Sequence, residues 1–278
     1  MDLQTARRLS DLTTTFYAHV GASFSATRQA PWPGWQRIAE LAWGRDDADG
    51  RGAADGRGDA AEKDHMAGRH DAGEKDDTAG RHNAGERVLD LACGNLRFAR
   101  FARSRCPDAR IWAVDNCDDL ASAYAGTDAQ ERYVRFQHLD IARTLLDGQD
   151  LSAALEAPAC DLCVCFGFMH HVTLPQHRAD VLRALVDHAA PGGIVAVSFW
   201  QFERDARIMA KAQPLADKGD YLLGWQGRRD VQRYCHSFCE EEVDSLASAV
   251  AKQAREVDRF SADGKSGDLN RYVVLQRR

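Results

Sequence analysis

After Arg87 the chain alternates short apolar runs with stretches of helical spacing, and few folds accept that alternation. The runs are RVLDLAC, RIWAVD, RYVRFQHLD, DLCVCFGF and IVAVSFW. Between them lie NLRFARFARSR, CDDLASAYAG and QHRADVLRALVDHAA; in the last, Val181, Leu182, Leu185 and Val186 share one face. Short runs rich in Val, Ile and Leu suit strands that are covered on both faces. The pattern predicts an α/β fold, an open and mostly parallel sheet flanked by helices. Near the end, FCEEEVDSLASAVAKQA reads as a helix, with Glu240, Glu241 and Glu242 where the helix dipole favours acids. REVDRFSADG and NRYVVLQRR, separated by GKSGD, then close the sheet as an antiparallel pair, which makes seven strands.

Residues 45–86 break the pattern. DGRGDAAEKDHM, AGRHDAGEKDDT and AGRHNAGER align at a period of twelve. They contain no Val, Ile, Leu, Phe, Trp or Tyr, so they cannot bury a core. The segment is expected to be a disordered, repeat-rich insertion before the first core strand of a single domain spanning 1–278. It also carries most of the net charge of −6: Arg45 to Arg87 holds eight basic and twelve acidic side chains. The remainder is nearly neutral, so bulk charge does not point to nucleic acid.

No stretch approaches the ~18 apolar residues of a membrane span. MDLQTARRLSDL has no continuous apolar centre and reads as the start of an amphipathic helix, so a cytoplasmic protein without membrane attachment is expected. The eight cysteines then read as free thiols. Cys160, Cys163 and Cys165 lie in an apolar run, as small buried hydrophobes do. With Cys235 and Cys239 they would make a poor tetrahedral set, so no metal is expected.

The chemistry is anchored in VLDLACGNLRF. A strand carrying Asp90 turns through Ala92, Cys93, Gly94 and Asn95 into a helix, which sets backbone N–H groups against a ligand. The pattern is D-x-A-x-G-x-L, with one glycine where a pyrophosphate cradle wants three. A ligand without that phosphate pair fits better. Asp115, with Asn116, closes the second run and is placed to bind ribose hydroxyls. Asp140, with Ile141, closes the third and can accept from an adenine amino group. Phe166 closes the fourth. Each acid alone reads more readily as a turn or helix cap; three at successive strand ends indicate one adenosine-bearing ligand.

Residues 88–199 resemble a class I S-adenosylmethionine-dependent methyltransferase. Asp90 to Gly94 resembles the first motif of that family, Asp115 its ribose acid and Asp140 its adenine-side acid. FGFMHH (166–171) resembles its fourth strand end, and Pro191-Gly192-Gly193 the turn before strand five. Leu96 departs from the usual third glycine, where a branched side chain would crowd the cofactor. FYAHVGASFSATRQAPWPGW (16–35) and RYCHSFCEEEVDSL (233–246) are similar to flanking segments of the tRNA wobble-uridine carboxymethyl methyltransferases. The resemblance implies a Rossmann-like sheet, S-adenosylmethionine as cofactor and a carboxymethyl-modified wobble uridine of tRNA as acceptor. In eukaryotic members it also implies a small zinc-binding activating subunit.

A carboxylate acceptor is already an anion and needs alignment more than a base. Arg28 and Arg233 are candidate clamps for it. Trp32, Trp35, Trp200 and Tyr234 are candidate stacking faces for a flat substrate, with His236 beside them. TRQAPWPGW is then either a lid or a packing loop. His170 and His171 suit a base for a hydroxyl or amine acceptor, or simple structural hydrogen bonds. Tyr17 either covers the cofactor or lies on the apolar side of the first helix. Arg204, Arg207, Lys211, Arg228, Arg229 and Arg233 form a candidate RNA patch. Two alternatives to the tRNA reading stand beside it: methylation of a small carboxylic acid or other metabolite, and a non-catalytic cofactor-binding regulator supported by Leu96.

Overall fold

The computed structural model describes residues 1–44, 86–118 and 133–278, and for Arg229 the backbone alone. The repeat segment and the helix expected from CDDLASAYAG lie outside the described residues, apart from their ends.

Strands β1 (Arg87–Leu91), β2 (Arg110–Asp115), β3 (Val134–His138), β4 (Cys160–Cys165) and β5 (Ala189–Trp200) run parallel. β10 (Asn270–Arg277) lies antiparallel between β5 and β9 (Ala254–Ala262), and the order across the sheet is β3-β2-β1-β4-β5-β10-β9. The seven-stranded sheet with its closing antiparallel pair is therefore as the sequence predicts. Alternation within each strand loads two cores. Leu89 and Leu91 join Cys163 and Cys165 on one face; Val88 joins Ile111, Leu162 and Val164 on the other. The three cysteines of β4 are fully buried free thiols, which is how a small hydrophobe behaves.

The chain order reverses between β1 and β4, and ligands of such sheets sit at the strand C-termini beside that reversal. Helix α1 (Leu3–Ala26) lies over this edge. Its first turn is capped by Asp2, which accepts from the Thr5 N–H at 2.8 Å. Helix α2 (Gly34–Trp43) follows the loop TRQAPWPGW, and α3 (Arg97–Arg105) follows the turn after β1.

A second sheet was not legible as such: β6 (Gln213–Pro214), β7 (Asp220–Trp225) and β8 (Arg228–His236), all antiparallel. Its strands carry too little apolar alternation to announce themselves. The turn Gln226-Gly227, with φ of 50° and 81°, is the one local signal, since both central residues of a tight hairpin take positive φ. β8 packs against α1: Tyr234 donates its N–H to Thr13 Oγ1 at 3.1 Å. Among the described residues no helix is long and apolar enough to cross a membrane.

Candidate active site

One cavity of about 380 Å³ opens at the C-terminal ends of β1 to β4, under α1 and beside β8. Its first end is backbone-built. In the turn after β1, Ala92, Gly94 and Leu96 all take left-handed φ, of 60°, 53° and 55°. A side chain at Gly94 would meet no atom within 4 Å, so its Cα faces open space in the cavity. Leu96 is 3% exposed and packs in the cluster of Trp35 and Phe98, outside the cavity lining. It does not crowd the site, which removes the crowding expected from the sequence and the sole support for a non-catalytic regulator.

Asp115 accepts from the N–H groups of Gly94 at 2.8 Å and Cys117 at 3.0 Å. Burial pushes its carboxyl up, against the pull of those donors. Asp140 caps the helix Ile141–Leu146 through the Arg143 N–H at 2.9 Å and accepts from Asn116 Nδ2 at 3.0 Å. Asp90 is different. It is 2% exposed, and its Oδ2 has no partner. Burial, with added repulsion from Asp115, pushes its pKa up to about 8. A buried carboxyl with an unfilled oxygen on a cavity wall suits a cationic ligand.

The second end is built from side chains. Tyr17 on α1 lies 2.9 Å from His171 Nε2, and His171 Nδ1 lies 2.8 Å from the Tyr234 carbonyl. A carbonyl only accepts, so Nδ1 carries the proton and Tyr17 donates to Nε2. Burial pushes His171 down to about 3 and His170 well below its ordinary value, while Tyr17 is pushed up to about 12. All three are uncharged at neutral pH. Arg233 is 6% exposed, and its Nε and Nη1 have no partner. Its guanidinium lies 4.6 Å from the Phe16 ring centre, and that of Arg28 lies 3.7 Å from Phe24. Ligand-type atoms of His170, His171 and Cys235 fall within 4.8 Å of one another. Both nitrogens of His171 are engaged, and burial pushes the Cys235 thiol up to about 11. The cluster favours an anion over a metal cation.

Comparison with known proteins fits this division. Residues 89–195 match the family described as a methyltransferase domain. The match spans 107 of the 278 residues. The fold matches a Pyrococcus horikoshii OT3 protein at 16% identity, covering 71% of this chain and 84% of that one with a TM-score of 0.53. It also matches a SAM-dependent methyltransferase from Methanosarcina mazei at 15% identity, covering 70% and 93% with a TM-score of 0.50. No curated protein matches the sequence. S-adenosylmethionine is the cofactor that the sequence resemblance implies, and the residues present suit it. Asp90 Oδ2 awaits a cation, Gly94 leaves room for close approach, and Asp115 and Asp140 stand at the next two strand ends.

Every residue assigned to the cofactor from sequence borders the cavity, as do Arg28, Arg233, His170 and His171. Asn95 also works on the protein itself, donating to Ser25 Oγ at 3.0 Å and the Arg28 carbonyl at 3.1 Å. Trp32 and Trp200 are half-buried on the cavity wall; a Cβ on Gly167 would lie 3.0 Å from the Trp32 ring. Trp35 also borders the cavity, but it is 2% exposed and packs on Phe98 and Phe166 at 5.2 and 5.7 Å, so it mainly staples α2 to the sheet. The loop thus gives one tryptophan to the cavity wall and one to the core.

Tyr234 and His236 are brought elsewhere. Tyr234 donates to Asp220 Oδ1 at 2.7 Å and accepts from Arg178 Nη2 at 3.1 Å. His236 sits between Asp220 at 2.6 Å and Glu242 at 3.0 Å. Both belong to a buried polar network beneath the small sheet, outside the cavity lining. Three of the six patch residues are ion-paired: Arg204 with Glu240, Arg207 with Asp205 and Arg228 with Asp230. Sequence reasoning missed the inward stripe of α1, Ser10, Thr13 and Thr14, and the wall residues Asp263 and Asn270. The stripe had a signal, since Ser10, Thr13, Thr14 and Tyr17 recur at helical spacing.

Proposed function

We propose that the protein transfers a methyl group from S-adenosylmethionine to a carboxylate oxygen of its acceptor. The observation that carries this reading is Arg233: a buried guanidinium with two unfilled nitrogens on the cavity wall. Leaving such a charge unpaired costs several kcal/mol, so the site is built for an anion to fill it. Bound S-adenosylmethionine supplies an electrophilic methyl group on a sulfonium. Arg233 and Arg28 hold the carboxylate in line, which converts an encounter into a positioned displacement. No base is required, in keeping with His171, whose nitrogens are both engaged. Trp32 and α1 cover the cavity and exclude water, which strengthens the clamp.

The acceptor proposed is a carboxymethyl-modified wobble uridine of tRNA. The segments 16–35 and 233–246 support it by resemblance, and Trp32 and Trp200 offer faces to a base. A small carboxylic acid is the second reading, favoured by the ion-paired state of Arg204, Arg207 and Arg228. Purified protein with methyl-labelled cofactor, given bulk tRNA in one arm and RNA-free metabolites in another, tests both. Label should be released by mild alkali, because a methyl ester hydrolyses and an N-methyl or ether methyl does not. Alkali-stable label overturns the carboxylate reading; alkali-labile label in metabolites alone selects the second acceptor.

A further inference from the structure

Helix α2 begins with no cap of its own. Its N-cap residue is Pro33, which makes no side-chain hydrogen bond. The N–H of Gly34 is met instead from the other end of the chain, by Asp263 Oδ1 at 3.1 Å. The second oxygen of Asp263 accepts from Tyr272 Oη at 2.6 Å and Asn270 Nδ2 at 2.8 Å. Asp263 is 5% exposed, borders the cavity and takes a left-handed φ of 70°, a conformation that costs a side-chain-bearing residue about 1 kcal/mol. The contact is also sterically fixed. A Cβ on Gly34 would lie 2.5 Å from the Tyr272 ring, so only glycine lets the loop approach the β9–β10 hairpin. One carboxylate thus caps α2, complements its dipole and gathers the hairpin. Two residues before Gly34 stands Trp32, the lid residue over Gly167.

We infer that Asp263 is a positioning residue for methyl transfer, a latch that sets Trp32 over the acceptor end through Gly34. The inference rests on the reading that the acceptor binds beneath Trp32, but the latch can be tested without an acceptor. In the full chain, Asp263→Asn keeps the shape and removes the charge, turning a donor toward Asn270. Acrylamide quenching of tryptophan emission should rise in Asp263→Asn. It should not rise further in Asp263→Asn/Trp32→Phe than in Trp32→Phe alone. S-adenosylhomocysteine affinity should stay within roughly threefold, because the cofactor end does not depend on the latch. Once an acceptor is in hand, its KM should rise roughly tenfold with kcat changed far less, as the loss of a charge-assisted hydrogen bond to a closing element predicts. Tyr272→Phe removes one latch bond without touching Asp263, and should move quenching and KM the same way by less; it serves if Asp263→Asn does not fold. A lowered melting temperature with unchanged quenching, or effects that simply add to those of Trp32→Phe, would make Asp263 structural only. If quenching responds as expected while the label is alkali-stable, the latch stands and the carboxylate reading fails.

Discussion

The two ends of the cavity differ in how they are made and in what they lack. The cofactor end comes from the turns after three neighbouring strands. Its recognition groups are backbone N–H groups and short acids, and Asp115 and Asp140 are already bonded to that backbone. The acceptor end gathers Tyr17 from α1, Arg28 from the loop after it, the histidines after β4 and Arg233 from β8, parts that meet only in the fold. Each end retains one buried orphan: Asp90 Oδ2 at the first, Arg233 Nε and Nη1 at the second. A cavity with a carboxyl able to ionise at one end and a fixed cation at the other matches a cationic methyl donor facing an anionic acceptor. The two ends should therefore fail independently when one orphan is removed.

The largest separation is expected from Arg233→Met. The two nitrogens proposed to hold the acceptor carboxylate are removed, so acceptor kcat/KM should fall on the order of a hundredfold. S-adenosylhomocysteine binding, measured by calorimetry, should barely change. The melting temperature should rise, because an unpaired buried cation is exchanged for a side chain that packs against Phe16. A fall in melting temperature together with lost cofactor binding would merge the two ends and break the comparison.

Asp90 should give the next largest effect, and its sign is fixed by proton linkage. Its folded pKa of about 8 lies above the ordinary carboxyl value of 3.8, so near pH 7 the free protein holds the proton. That protonation stabilises the free protein at low pH, and the advantage is lost as pH rises through about 8. A cationic cofactor favours the ionised form and must expel the proton. Cofactor affinity should therefore rise with pH below 8, by up to about tenfold per unit, and level off above it. Calorimetry in buffers of different ionisation enthalpy reads the released proton directly. Asp90→Asn should flatten the profile; a profile equally steep in that variant would assign the proton to another group.

This contrast also explains what could be read from the sequence. The cofactor end was legible because strand, turn and acid are neighbours in the chain: Asp90 with Gly94, Asp115 with Asn116, Asp140 with Ile141. Arg28 and Arg233 were legible as types, since a carboxylate acceptor calls for guanidinium groups. Their surroundings were not. Tyr234 and His236 adjoin Arg233 in sequence, yet alternation along β8 does not decide which partners wait on either side. Asp220 and Glu242 take them into a buried network, and only the Tyr234 carbonyl reaches His171. Trp35 and Trp32 were indistinguishable as residues; one went to the core and one to the wall because α2 begins between them. The small sheet was hidden for a related reason, since its strands bury polar groups against one another.

The smallest effect sharpens the view that the first end is set by its backbone. Ala92 and Leu96 occupy left-handed positions that glycine would hold without strain. At Ala92 the side chain is only half-buried, so Ala92→Gly should raise stability by up to about 1 kcal/mol in a denaturant titration. Leu96→Gly relieves the same strain but empties a buried site. The lost packing, roughly 2 to 4 kcal/mol for a leucine truncated in a core, should outweigh the relief. Cofactor affinity should stay within about threefold in both variants, because neither side chain supplies the N–H groups that meet Asp115 and the ligand. A stable Leu96→Gly protein with much tighter cofactor binding would instead mean that Leu96 reaches the cavity, and that its side chain, not the backbone, limits the first end.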